Sequence, residues 1–472
     1  MCPNDIALPR RDLLKSLACG FGSIALAGLL NESASAAPRD NPLAVKLPHF
    51  APKAKRVIFL FMQGGPSHVD TFDPKPRLDA EDGKSVEFNV ARTRKVQART
   101  ILKSPWTFKQ YGQSGRWVSE LFPQMAQHVD KMCFIQSMHT DGVAHGPATI
   151  CLHTGATAFV RPCIGSWVTY GLGTENQNLP GFVTVSPTQN MGGPRNYSNA
   201  FLPAVYQGTA IGRAGVPSAQ AKFRHIVNDS LSPEQQKKQF DFLQQINREQ
   251  SQQAAKDDQL EAAIDSYELA YRMQMNAPGV TDLSTESDAT KRMYGIGEPE
   301  TDDFGRQCLI ARRFAEAGVR YIQVNYSDNG NNPKWDQHSN LKQHEKHARA
   351  VDKPTVALLQ DLEARGLLED TLVWWGGEFG RTPFSEARDG RDHNPTGFTV
   401  WLAGGGVKRG IAYGATDEYG FEAIQDKVHM HDLHATVLHL LGLNHEKLTY
   451  RYAGRDFRLT DVAGRVVKEI FA

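Results

Sequence analysis

Four groups of polar residues stand where apolar stretches end, and their side chains are of the types that hold a metal ion. Gln63, His68, Asp70 and Asp73 follow the apolar run 56–62. Asp336, His338 and Asn340 follow 319–326, Glu378 and Arg381 follow 371–375, and Asp392 and His393 precede 398–402. Imidazole with carboxylate is the donor set of zinc, manganese or iron, whereas oxygen-rich sets suit calcium or magnesium. One Asp or His in a loop is ordinarily solvated, but four such groups converging on one sheet edge are less ordinary. Arg381 offers a planar fork of donors to an anionic group, or a salt bridge to a carboxylate such as Asp389.

Other histidines are less specific. His344-Glu-Lys-His347 is one residue short of the HExxH zinc motif and reads as a solvated or supporting helix face. His429, His431, His434 and His439 crowd the C-terminal region, where Asp432 serves equally well as a helix cap. There is no GxSxG elbow and no P-loop. Gly404-Gly-Gly406 reads as a tight turn after 398–402.

The elements that must position these residues follow from apolar spacing. Strands are predicted at 56–62, 181–185, 319–326, 371–375 and 398–402, with a helix from 121 leading into a strand that ends at 135. Helices are predicted at 145–155, 304–317, 341–366 and 431–441, the first stopping at Gly155. Alternation of this kind means an α/β fold, a mostly parallel sheet covered on both faces, with its chemistry at the carboxyl ends of the strands. Residues 232–275 are rich in Gln, Lys, Glu and Ala, with Phe240, Leu243 and Ile246 at helical spacing. They predict two long surface helices inserted into the main domain, as a lid, a packing element or a partner surface. Residues 276–300 read as loop.

The chain has 472 residues, with 53 Lys and Arg against 52 Asp and Glu, a formal net charge of +1. That balance excludes nucleic-acid binding by bulk charge. Hydrophobic residues make up 40%, enough for a core, and no stretch reaches the roughly 18 apolar residues of a membrane span. At the start, Arg10-Arg11 precedes a mildly apolar segment at 17–30 and a small-residue site at Ala34-x-Ala36. This is the anatomy of a twin-arginine (Tat) signal over 1–36, followed by a linker at 37–54 and one domain at 55–472. It implies passage through the Tat translocon to a periplasmic or extracellular location. Cys133, Cys151, Cys163 and Cys308 form no CxxC pair, so a cysteine-zinc site is not expected.

The motifs GGPSHVDTFDPKP (64–76), WDQH (335–338), EFGRTP (378–383), GRDH (390–393) and LAGGG (402–406) together resemble the DUF1501 family of exported bacterial proteins, grouped with the alkaline phosphatase/sulfatase superfamily. The resemblance spans nearly all of the chain beyond the signal. It implies an alkaline phosphatase-like three-layer αβα sandwich with a mostly parallel central sheet and a helical insertion. Glu378 stands where the superfamily has a metal-binding Asp, and Phe379 where it has a His. His393 matches the later metal-binding His, and Asp336 and His338 match in kind the ligands between. Gln63 occupies the place of the first metal Asp, with Asp70 or Asp73 as substitutes from the next turn. The nucleophile segment is matched by 145–155, which puts His145 where a Cys or Ser would stand. Gln63 and Phe379 weaken the second of the superfamily's two metal sites, and the lack of a Cys at 145 disfavours a formylglycine-type sulfatase.

The expectation is an exported metal-dependent hydrolase of phosphate or sulfate esters, with metal-bound water attacking the ester. Asp336, His338, Glu378 and His393 would hold one divalent ion, zinc or manganese first, calcium or magnesium otherwise. His145, Glu378 and Arg381 would be catalytic, and Gln63, Asp70 and Asp392 possible additions. His145 could be a nucleophile, or a ligand or base; or the site could be degenerate. The substrate would be an anionic ester or a sulfated or phosphorylated polysaccharide. The competing expectation is a catalytically degenerate, sulfatase-like binding protein for an envelope or extracellular polymer.

Overall fold

The computed structural model describes residues 41–223, 231–253, 258–387 and 389–472. The expected signal at 1–36 lies outside these residues. The strands of the main sheet and of one hairpin are labelled β1 (Arg56–Met62), β2 (Met132–His139), β3 (Phe182–Val185), β4 (Thr209–Ile211), β5 (Tyr321–Tyr326), β6 (Thr371–Gly376), β7 (Gly380–Ser385), β8 (Arg391–Asn394), β9 (Phe398–Ala403), β10 (Ile411–Tyr413) and β11 (Val428–His429). The principal helices are α1 (His145–Thr154), α2 (Ile164–Leu172), α3 (Pro233–Gln253), α4 (Asp258–Thr281), α5 (Asp302–Glu316), α6 (Gln343–Ala364) and α7 (Met430–Leu440).

The sheet runs β10-β2-β9-β6-β1-β5-β3-β4, with β11 paired to β2. Only β9 is antiparallel to its neighbours, β6 and β2, and every other pairing is parallel. Successive side chains of a strand point to opposite faces, yet every residue of β1, β3, β5, β6 and β9 is buried. Both faces are therefore covered, which makes an α/β sandwich around a mostly parallel sheet. The core is aromatic at its centre: Phe59 stacks on Trp374 at 3.9 Å between ring centres, and Trp375 lies parallel to Trp401.

Register is what brings the site together. Met62 pairs with Tyr326 and Phe61 with Gly376, so β1, β5 and β6 end at one edge. The loops leaving that edge carry Gly64, Asp336 and Glu378. Just beyond β6 the chain turns into the β7/β8 hairpin, in which Arg381 pairs directly with His393. The sequence reading placed these residues in loops, but the segment is an ordered hairpin over the edge. Two further hairpins not expected from the sequence, Ser85–Val90 with Lys95–Thr100 and Phe108–Tyr111 with Arg116–Ser119, follow β1.

Other differences have local causes. The segment expected to be helical before β2 is a 3-10 turn, Met125–Lys131, whose start is held by Asp352 accepting from the N–H groups of Gln124 and Met125 at 2.8 Å. The inserted helices α3 and α4 touch through stacked Phe240 and Tyr271 rings. α4 continues into the expected loop, past Pro278 to Thr281. Its last carbonyls do not need further helix, because Arg313 donates to those of Gly279 and Val280 at 2.7 Å. A short helix, Asp288–Met293, follows, capped by Ser287 accepting from the N–H of Thr290. Residues 41–54, expected as linker, lie against the domain: Lys46 N–H donates to Leu172 O and Lys53 N–H to Leu440 O. Cys133, Cys151, Cys163 and Cys308 are all free and buried. Among the described residues, no helix is long and apolar enough to cross a membrane.

Candidate metal centre

Two glycines allow the ligand-bearing loops to close. Gly64, at φ +108°, lies so near the loop after β5 that a Cβ would sit 2.6 Å from Trp335 N and 2.8 Å from Asp336 N. Trp335 N–H donates to Gln63 O at 3.1 Å, which pins that loop to the end of β1. At Gly390 a Cβ would meet the His338 carbonyl at 2.0 Å, so the β7/β8 turn can pack directly on His338. His145 is the first residue of α1, and His393 lies on β8.

Around Asp336 Oδ1 stand His338 Nε2 at 2.9 Å, His145 Nε2 at 3.1 Å and His393 Nε2 at 3.5 Å. His338 Nε2 and His393 Nε2 are 3.1 Å apart. One ligand atom from each of the four residues falls within 4.8 Å of the others. The opposite ring nitrogen of each histidine has an oxygen acceptor. His145 Nδ1–H donates to Glu378 Oε1 at 2.6 Å, His393 Nδ1–H to Val143 O at 3.1 Å, and His338 Nδ1–H to Glu386. These partners assign the proton to Nδ1 in all three rings and turn three Nε2 lone pairs onto one carboxylate. Buried lone pairs facing each other repel unless a cation stands between them. His145 Nε2 and Asp336 Oδ1 are indeed buried without a well-aligned hydrogen bond. The four residues thus fit a divalent ion. Three imidazoles and one carboxylate favour zinc, manganese or iron over calcium or magnesium.

The electrostatics agree. Burial pushes the Asp336 carboxyl up, but its contacts with His145, His338 and His393 and the charge of Arg381 outweigh this and hold it well below the carboxylate range. Burial lowers His145, but Asp336 and Glu378 raise it further, so its net shift is upward. The contact with Asp336 also raises His338. Burial leaves His393 low. Without an ion, the carboxylates draw protons onto the rings that a metal would displace.

Several residues expected as ligands or catalytic groups stand outside the four-residue ligand cluster. Glu378, expected as a ligand, stands behind His145; both its oxygens accept from Gly64 N–H, at 3.0 and 3.1 Å. Arg381, expected to meet an anionic substrate, is fully buried. It donates to the carbonyls of Gly64, Gly65 and Arg391 and pairs with Asp336 Oδ1 at 2.7 Å, not with Asp389, and its burial keeps it from solvent. Asp70 is held by Arg391 at 2.7 and 3.0 Å. Gln63 Oε1 accepts from Asp328 N–H. Asp392 joins His338 and Glu386 in a second acidic group at the rim, already faced by Arg92, which lies 3.1 Å from Asp392 and 3.4 Å from Glu386. Phe379 lines one wall, stacked on His393 at 4.5 Å.

His344 and His347 are buried, not solvated. His344 Nε2 accepts from Ser67 N–H, and His347 pairs with the Tyr326 hydroxyl. Asp432 is a cap, accepting from His429 N–H at 2.9 Å. Glu386 and the Val143 carbonyl were not foreseen as partners of the ligands. Gly380-Arg-Thr-Pro-Phe-Ser385 shows no apolar alternation that would have signalled the hairpin that brings Glu386 to His338.

The chain belongs to the family described as "Protein of unknown function (DUF1501)", whose profile matches residues 54–471. A search of curated proteins gives no match. Among solved structures, the chain is similar to Ps i-CgsB in complex with k-i-k-neocarrahexaose, at 10% identity and a TM-score of 0.38, covering 82% of this chain and 72% of that one. It is also similar to the lipoteichoic acid synthase LtaP from Listeria monocytogenes, at 10% identity and a TM-score of 0.35, covering 89% and 78%. A third is the alkaline phosphatase from the Antarctic bacterium TAB5, at 10% identity and a TM-score of 0.33, covering 82% and 98%.

Proposed function

We propose that this chain is an exported metal-dependent hydrolase of phosphate or sulfate esters. The observation that carries the metal reading is the orientation of the three imidazoles: each gives its Nδ1 proton to an oxygen and turns Nε2 toward Asp336. A divalent ion held there supplies a Lewis acid and a water that ionises near neutral pH. The chain's own residues do the rest. Glu378 accepts the Nδ1 proton of His145 and so turns its Nε2 toward the cluster. Arg381, anchored on three carbonyls, holds the Asp336 carboxylate in its ionised form. Phe379 shields one side of the cluster from water, and His338, the most exposed of the four, marks the open side. The choice of ester rests on the motif resemblance, and export by the twin-arginine route to the periplasm or beyond rests on Arg10-Arg11, the apolar segment 17–30 and Ala34-x-Ala36.

A binding protein without turnover is the second reading. It is favoured by Arg381, a cation already seated on the carboxylate oxygen that faces the cluster, and by a histidine where a hydroxyl or thiol nucleophile would stand. Metal content by mass spectrometry, with turnover of aryl phosphate and aryl sulfate, separates the two. A hydrolase contains about one equivalent of metal and loses metal and activity together in Asp336→Ala and His393→Ala. Full metal content in both variants sinks the site itself, and metal without turnover of any ester leaves the binding reading.

A further inference from the structure

A pocket of about 790 Å3 opens beside the hairpin Phe108–Tyr111/Arg116–Ser119, and none of its lining residues belongs to the ligand cluster. The volume is within the range of about 300–1,000 Å3 for small-molecule sites. Strand alternation decides what the hairpin presents to it. Gln110 pairs directly with Trp117 and Phe108 with Ser119, so Phe108, Gln110 and Trp117 share a face. Val118, of opposite parity, is buried in the core. The indole of Trp117 is left 46% exposed on the pocket wall, where a flat ring can pack on it.

The polar lining narrows the occupant. Arg116 has the parity of Val118 and lines the pocket from the end of the hairpin, where it donates to Ser114 O at 3.1 and 3.2 Å; among the described residues no carboxylate lies within ion-pair distance of it. Lys103 is exposed and only loosely paired, 3.4 Å from Asp82. Of the carboxylates on the wall, Asp73 is occupied by Lys75 at 2.9 Å and by the Thr416 hydroxyl at 2.7 Å, which leaves Asp79 at the outer rim. An exposed indole beside a side-chain amide and two available cations suits a pyranose ring that carries anionic substituents. The ring's C–H face stacks on Trp117, its hydroxyls reach Gln110, and its anionic groups meet Lys103 and Arg116. We infer that this pocket is a second, non-catalytic site that binds an anionic polysaccharide. The site does not depend on the hydrolase reading.

Calorimetric titration of the full chain with dextran sulfate, neutral dextran and inorganic polyphosphate tests it. Saturable binding of dextran sulfate is expected, at least tenfold weaker in Trp117→Ala and largely restored in Trp117→Tyr. The double variant Lys103→Gln/Arg116→Gln should lose the preference for dextran sulfate over dextran. Asp336→Ala, outside this pocket, should bind as the parent does. No saturable binding overturns the proposal. So does polyphosphate binding as tightly as dextran sulfate with indifference to Trp117→Ala, which would mean bulk charge alone. Loss of binding in Asp336→Ala with retention in Trp117→Ala would place the polymer at the metal centre.

Discussion

Glu378 accepts the Nδ1 proton of His145 at 2.6 Å while both its own oxygens take the N–H of Gly64. The carboxylate is thereby fixed from the backbone side and acts on the ring from behind. Glu378→Gln keeps the shape but removes the charge that favours an Nδ1–H tautomer. Metal affinity, measured by competition with a chromogenic chelator, should fall roughly 10- to 100-fold with the fold intact. Unchanged affinity would reduce Glu378 to a packing role.

Asp336 and Arg381 are a buried ion pair as well as part of the site. Asp336→Ala strips the centre of its carboxylate and leaves the Arg381 guanidinium buried with only carbonyls. Removing one member of such a pair costs about 3–5 kcal/mol. Chemical denaturation of the metal-free proteins should show Asp336→Ala clearly less stable than His393→Ala, although both lose the metal.

Asp70 gives the opposite pattern. Burial pushes its carboxyl up, but the charge and hydrogen bonds of Arg391, with help from Ser67, hold it low. Asp70→Asn should destabilise by a similar amount, about 3–5 kcal/mol, yet leave metal content unchanged. Metal loss in a folded Asp70→Asn protein would return Asp70 to the ligand set.

Acid should unfold the chain steeply. Burial holds His153 down at about 4 and His344, His347 and His434 at about 3, all from an ordinary value of 6.5. Between those values the unfolded chain binds protons that the folded chain refuses. The stability these groups contribute is therefore complete above pH 6.5 and is lost as pH falls toward 3. His434, whose Nε2–H donates to Leu152 O at 2.8 Å, is the cleanest to probe. Denaturation midpoints of His434→Gln from pH 7 to 4 should show a shallower slope than the parent. An identical slope would show that this ring titrates normally in the fold.

Much of the architecture was legible. The strand Arg56–Met62 is buried along its whole length because a strand covered on both faces must be apolar throughout, and the sequence shows that run plainly. Asp336, His338 and His393 could be listed because unusual polar residues stood next to such runs. What could not be read was direction. Whether Glu378 coordinates or supports depends on which side of His145 it falls, and that is set by the Gly64 N–H, a backbone group with no residue type of its own. Arg381 is a ready anion receptor by chemistry, yet it is buried among three carbonyls and Asp336. The hairpin went unseen because Arg391-Asp-His-Asn394 is polar and buried, against the usual pattern for a strand, its side chains satisfied by the site instead of by solvent.

That hairpin makes strand register a chemical variable. Arg381 and His393 share a face because they pair directly, next to Gly380 and Asn394, and the register slips by two residues before Ser385 meets Arg391. A one-residue change of register at the Arg381–His393 pair would turn His393 to the other face and put a neighbour in its place, with no ligand mutated. A slip of register in this hairpin would therefore empty the metal centre while all four ligand residues are retained.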